Sequence, residues 1–312
     1  MTSVAAQAAK PPIALEEFRQ GKVVVESLGL MGEPPVDLEK IASEVREIIT
    51  SSAAVQGVCQ GDYDSLVLFS AVYWGIVKTF PRTVIRNVRN FLNRFNDGNS
   101  SRDLLFVFNF TDIQRVRVLE SMQHGISGIV KDYGFEEGSH MDYWKELMTD
   151  IGMMENARTG RLSDYGKEVM AQVNALPAVQ AIDCMINKEF DQRDALVGML
   201  AVEFLAAGAS ASIVEAGAAD QLFESRSIPK TWFEVHYHVD DHADTLADPE
   251  DENSYLELPH DTISFNMAQL AHKVDHDGED FHAFMYERII NIARAFASAG
   301  DQCMAEARAV VA

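Results

Sequence analysis

From Val36 onward the apolar residues recur at intervals of three and four, the spacing that puts them on one face of an α-helix. Residues 1–36, with Pro11, Pro12, Pro34 and Pro35, break that pattern and predict an irregular extension with a short ordered piece at Lys22–Leu28. Asp37 predicts the cap of a helix running through Ser51. Asp62 or Asp64 predicts the cap of a second, which carries Leu66, Leu68, Phe69, Val72, Tyr73 and Ile76. Pro81 falls in the first turn of a helix over 82–95, closed by Asn96-Asp97-Gly98-Asn99. Further helices are predicted from Thr111-Asp112 to near Gly134, over 140–152 behind Ser139, and over 163–176, 178–190 and 191–207. A His-rich helix follows Pro229, and a final pair covers 261–274 and 280–311. Alternating strands with hairpin dipeptides are essentially absent. The expected class is all-α, with about eight to ten helices by the usual helix lengths. Residues 37–312 read as a single domain, with an acidic loop at 244–257 that belongs to solvent.

An apolar fraction of 47% is enough for a buried core, and a net charge of -22 disfavours nucleic-acid backbones and anionic membrane surfaces as partners. No stretch reads as approaching the ~18 apolar residues of a membrane span, and no secretory signal pattern opens the chain. Cys59, Cys184 and Cys303 are widely spaced and odd in number, which fits small buried hydrophobes in a reducing compartment. The expectation is a cytoplasmic protein whose partners are a small-molecule substrate and, at most, a second copy in a homodimer.

Residues 233–242, Phe-Glu-Val-His-Tyr-His-Val-Asp-Asp-His, concentrate imidazole and carboxylate groups that suit Fe(II), Mn or Zn. On a helix His236 and Asp240 lie one turn apart and point the same way. Glu203 sits in the otherwise apolar run Val197–Ala207, where an unpaired carboxylate is costly to bury and calls for a cation. Asp132 would end one helix and His140 begin the next across a glycine-bounded turn, so both could face one site; Glu137 competes with Asp132. The same His-Asp density also fits a solvated helix end. His276, Asp277, Asp280 and His282 form a second polar cluster, read as capping. His124, Met153, Met154 and Met199 read as core. Dinucleotide, P-loop and nucleophile-elbow patterns are absent.

Asp132-x-Gly134, then Ser139-His140-x-Asp142-x-Trp144 and Gly152, then Glu203, then Phe233-Glu-x-His236-x-x-x-Asp240 together resemble the haem-oxygenase-like diiron oxidases and oxygenases. That family shares its fold with haem oxygenase, the thiaminase-like proteins and the cofactorless pyrroloquinoline quinone synthase. The resemblance covers roughly residues 60–245. It implies a haem-oxygenase-like helical bundle with extra N- and C-terminal segments, two Fe(II) ions and O2 as co-substrate. It further implies oxidation of a small amine, amino acid or fatty-acid-like substrate. Asp132, His140 and Glu203 would hold one iron, with Glu203 the bridge; His236, Asp240 and His242 would hold the other.

Two departures stand out. Asp132, or Glu137 further along, replaces the family's Glu before the first His. Ala243 stands where many members have a His, so His242 could ligate only if the helix unwound locally. Glu234, His238 and Asp241 form an alternative ligating stripe. The stretch 65–96 has no acidic residue, and Tyr73, Trp74 and Lys78 are expected to line that side instead. A metal-free binding protein or cofactorless enzyme on the same scaffold is the rival reading. A thiaminase-like hydrolase would need a cysteine nucleophile with a histidine partner, which neither Cys59 nor Cys184 evidently has.

Overall fold

The computed structural model describes residues 38–78, 140–187, 191–242 and 278–311, with single positions among 83–86 and 265–276. Within the helices, the side chains at 140–141, 238–242 and 307–311 fall outside this description. The described chain is helical apart from one small hairpin. Its elements are α1 (Leu38–Thr50), α2 (Ala53–Cys59), α3 (Tyr63–Val77), α4 (His140–Asp150), β1 (Met154–Asn156) and β2 (Arg161–Leu162). There follow α5 (Asp164–Ala175), α6 (Pro177–Asn187), α7 (Gln192–Val214), α8 (Gly217–Arg226), α9 (Thr231–His242) and α10 (Phe281–Val311). The all-α expectation holds at this level. The expected helices over 82–95 and 111–134, the N-terminal extension, the acidic loop and most of 261–274 lie outside the described residues.

The helix starts follow local capping chemistry. Asp62, rather than Asp64, caps α3 by accepting from the Ser65 amide at 3.2 Å. Ser163 caps α5 through the Gly166 amide at 2.9 Å, Asp191 caps α7 through the Asp194 amide at 3.1 Å, and Asp280 holds the Ala283 amide at 3.0 Å as α10 begins. Each satisfies an amide that has no carbonyl partner in the first turn.

Three elements differ from the sequence expectation. The first helix ends at Thr50, beside the expected Ser51, but an additional helix, α2, starts behind Ser52, whose hydroxyl accepts from the Val55 amide at 3.4 Å. Helix α8 forms in a region read as a connection, and it ends on Ser227 in the left-handed region, φ 54°. The β1–β2 hairpin is antiparallel, pairing Met154 with Leu162, and is too short for its alternation to register as a pattern.

Helix α7 is the central element, packing against α1, α2, α6, α8, α9 and α10. Its mean hydropathy of 1.8 over 18 residues makes it long and apolar enough to cross a membrane, contrary to the sequence reading. Of that window 83% is buried by the other helices, which is also how the core helix of a water-soluble bundle behaves. The helix also runs seven residues past the expected stop at Ala207, straight through Gly208. A glycine is needed there because α1 crosses closely: a β-carbon on Gly208 would stand 2.9 Å from Ile49 Cδ1 and 3.1 Å from Arg46 Cα. Across that same pair, Thr50 and Ser212 share a 2.7 Å hydrogen bond and Arg46 pairs with Glu215 at 2.6 Å.

Gly208→Val is therefore expected to lower unfolding stability by about 1–3 kcal/mol through overpacking, measured by urea denaturation followed by circular dichroism. Arg46→Ala, which removes only a solvent-exposed ion pair, should cost well under that.

Candidate functional site

Helix α9 lays one face against the core. Trp232, Phe233, Val235 and His236 are buried, while Glu234 is only half-buried. Glu234 lies 3.4 Å from Lys230 Nζ, which in turn donates to Asp220 of α8 at 2.7 Å. Its carboxylate is therefore engaged at the α8 side, and the Glu234–His238–Asp241 stripe starts from a residue already in a surface ion-pair network.

His236 is held more firmly. With 4% of its surface exposed, its Nδ1 sits 2.7 Å from the Trp232 carbonyl oxygen. A carbonyl can only accept, so Nδ1 carries a proton; in the neutral imidazole the lone pair then lies on Nε2. That is the tautomer in which a histidine ligates a metal through Nε2 while its other nitrogen is fixed by the protein. The ring also packs on Trp232, centroid to centroid 4.1 Å. Trp232, His236 and Asp240 follow one another at successive turns of α9.

Glu203 belongs to α7, the helix that α9 packs against most extensively, and is 6% exposed among apolar neighbours such as Leu200 and Phe204. The sequence expectation of a buried carboxylate in this helix is met. His140 opens α4, and four residues on Trp144 is buried with its ring 4.4 Å from that of Trp232. Trp144 therefore packs α4 against α9. Helix α9 thus packs against both α7 and α4, the helices that carry Glu203 and His140. Asp132 and Glu137, and the side chains of His140, His238, Asp240, Asp241 and His242, lie outside the described residues. Among the described residues no three His, Cys, Asp or Glu side chains form a group that could hold a metal ion.

The α3 side of this region is aromatic. Tyr73 contacts both Trp144 and Trp232, at 4.7 and 4.9 Å. Lys78 corrects the sequence expectation: it is exposed, and its ammonium donates to Asn174 of α5 at 3.1 Å instead of lining the interior. Burial and then the Asp183 charge act on that ammonium in opposite senses, leaving its pKa lowered.

A second polar cluster joins the start of α7 to the entry into α10. His276 bridges Asp191 at 3.0 Å and Glu279 at 3.4 Å, and Arg193, 6% exposed, donates to Glu279 at 2.6 Å. His272 accepts from Arg193 at Nδ1 (3.3 Å), so Nε2 bears the proton and donates to the Glu279 carbonyl at 3.2 Å. Arg288 completes the group on Asp194 at 3.0 Å. Asp280 caps a helix as expected, but the Asp191–Arg193–His272 part went unrecognised in the sequence. Its members are scattered between two distant segments, and only a buried Arg193 could have hinted at them.

Cys184 is exposed, which corrects the expectation of three buried thiols, while the other two are ill-suited to nucleophilic chemistry. Burial pushes the Cys59 thiol up, and its Sγ donates to the Ser212 carbonyl at 3.4 Å. Burial pushes Cys303 up to about 12. Met153, Met154 and Met199 are core, as expected.

No protein-family model, characterised protein or solved structure matches the chain.

Burial, above all, lowers the His272 pKa, the bond from Arg193 lowers that of Glu279, and Asp191 is lowered because the Asp194 amide and His276 outweigh its burial. All three groups bind protons less readily when folded, so each contributes stability above its unfolded pKa that is lost as pH falls through its folded pKa. Stability should thus begin to fall below about pH 6.5, the ordinary imidazole value, and fall again through the carboxylate range near pH 4. Urea midpoints measured across pH 4–8 check this; His272→Gln should remove the first decline and keep the second.

Proposed function

We propose that the protein is a non-haem iron enzyme, with a haem-oxygenase-like bundle, that uses O2 to oxidise a small amine, amino acid or fatty-acid-like substrate. The observation that carries this reading is a buried imidazole, His236, held through Nδ1 by the Trp232 carbonyl, on a helix that packs against α7, which carries the buried Glu203. The donor set fits Fe(II), which accepts imidazole and carboxylate together. Glu203 and His236 would hold the metal, joined by His140, Asp240, Asp132 and His242 if the resemblance extends to them, and a second iron would share Glu203. When bound, iron would supply the redox chemistry with O2.

The chain's own residues account for the remainder. The Trp232 carbonyl fixes the imidazole, raising its basicity as a ligand. Surrounding Trp232, Phe233 and Trp144 keep water from the centre and strengthen every electrostatic contact inside it.

One observation favours the metal-free rival, a binding protein or cofactorless enzyme on this scaffold. The imidazole of His236 already has a backbone partner and an aromatic neighbour, the contacts expected of a structural core histidine.

Anaerobic titration with Fe(II) separates the two. The iron enzyme binds the metal and shows an absorbance change on admission of O2. Glu203→Ala and His236→Ala should each weaken iron binding by at least about tenfold, a loss of about 1.4 kcal/mol or more, while retaining helical circular dichroism. Undiminished binding in both variants, or none in the wild type, favours the metal-free protein.

A further inference from the structure

The turn between α2 and α3 and one face of α8 enclose an open cavity of about 530 Å³, a volume typical of small-molecule sites. It lies at the start of α3, about three helical turns from Tyr73 and the aromatic region around His236. Gly61 lets the two elements meet. It sits in the left-handed region at φ 81°, and a β-carbon there would stand 2.8 Å from the Ala218 carbonyl oxygen.

The charges in this cavity do not neutralise one another. Arg226, in the last turn of α8, stands with Cζ 3.9 Å over the ring of Tyr63, and the Tyr63 phenol is itself anchored by donating to the Ile151 carbonyl at 3.1 Å. Contact through its face holds the guanidinium in place and leaves its N–H edges for an acceptor. Among the described residues Arg226 forms no hydrogen bond or ion pair, although Asp62 and Asp64 line the same cavity. Asp64 has no ion-pair partner among those residues either, and Asp62 uses only Oδ2, which accepts from the Ser65 amide and hydroxyl. A positioned cation and two carboxylates thus share one concave surface without bonding to each other.

We propose that this cavity binds a free amino acid, whose carboxylate and ammonium are attached to one carbon. The proposal does not depend on the iron reading. A simple carboxylate would gain Arg226 but would stand beside Asp62 and Asp64 in a chain of net charge -22. A simple amine would gain the aspartates but would meet Arg226. A zwitterion satisfies both signs at once. Arg226 receives the carboxylate through its planar fork, Asp64 receives the ammonium with Asp62 Oδ1 as a further acceptor, and Leu222, buried in the cavity wall, offers apolar surface to the side chain.

The test is isothermal titration calorimetry on the full chain without metal, using the twenty common L-amino acids singly. At least one with an apolar side chain should bind with a Kd of about 1 mM or below. The matching deaminated acid and decarboxylated amine should each bind at least tenfold more weakly. Arg226→Ala and Asp64→Asn should each weaken binding tenfold or more while keeping the wild-type circular dichroism and urea midpoint. Glu224→Gln, on the exposed side of α8 outside the cavity, should bind like the wild type. Absence of binding by all twenty overturns the proposal. So does equal binding of the acid or the amine alone, or undiminished binding in folded Arg226→Ala and Asp64→Asn proteins. None of these outcomes bears on iron, which the anaerobic titration tests separately.

Discussion

Helix α7 is apolar on nearly every side, so it can be stable in water only when other helices surround it. That one constraint organises the rest. Helices α1, α9 and α10 close over it together with α2, α6 and α8, and Gly208 lets α1 approach where any side chain would hold it off. The same burial makes Glu203 conspicuous. A carboxylate in the most enclosed helix of the chain is disfavoured unless something compensates its charge, and the surface pairs nearby, such as Arg46–Glu215, carry no comparable cost.

His236 is buried on α9, which packs against α7. One hydrogen bond to the backbone of its own preceding turn helps to fix the ring orientation. The neighbouring aromatic residues, Trp232 and Trp144, then decide what reaches the imidazole: they exclude water from it. At the opposite end of α7, the Asp191–Arg193–His272–Glu279 cluster fastens the helix start to the entry of α10 by charge and hydrogen bonds in place of apolar contact. The centre of α7 is thus held by packing and its start by ion pairs, which makes the second attachment pH-dependent and the first not.

Much of the helical layout was legible in the sequence because capping residues and apolar spacing act locally. Asp62, Ser163, Asp191 and Asp280 mark helix starts through contacts within a few residues of themselves. Where the outcome depends on a distant contact, the sequence misled. Gly208 reads as a stop, but it is a crossing point that only the position of α1 explains. Helix α8 begins behind Ala216, which makes no side-chain cap, so its start carries no signal. At the candidate site, the buried Glu203 followed from one odd residue in an apolar stripe, and His236 from the density of imidazole and carboxylate over 233–242. Lys78 did not follow, because a long side chain beside a helix end can reach outward to Asn174 as easily as inward. The bond from His236 to the Trp232 carbonyl and the mutual contacts of Tyr73, Trp144 and Trp232 required coordinates, since ring contacts between three helices leave no trace in spacing along any one of them.

The central claim is that Glu203 and His236 face a common metal. Crystals grown anaerobically with Fe(II), with anomalous diffraction recorded at the iron edge, test it most directly. The account predicts an anomalous peak between α7 and α9, within coordination distance of His236 Nε2 and the Glu203 carboxylate. Iron-replete crystals with no peak there, or with His236 Nε2 turned to a protein acceptor instead, would contradict it.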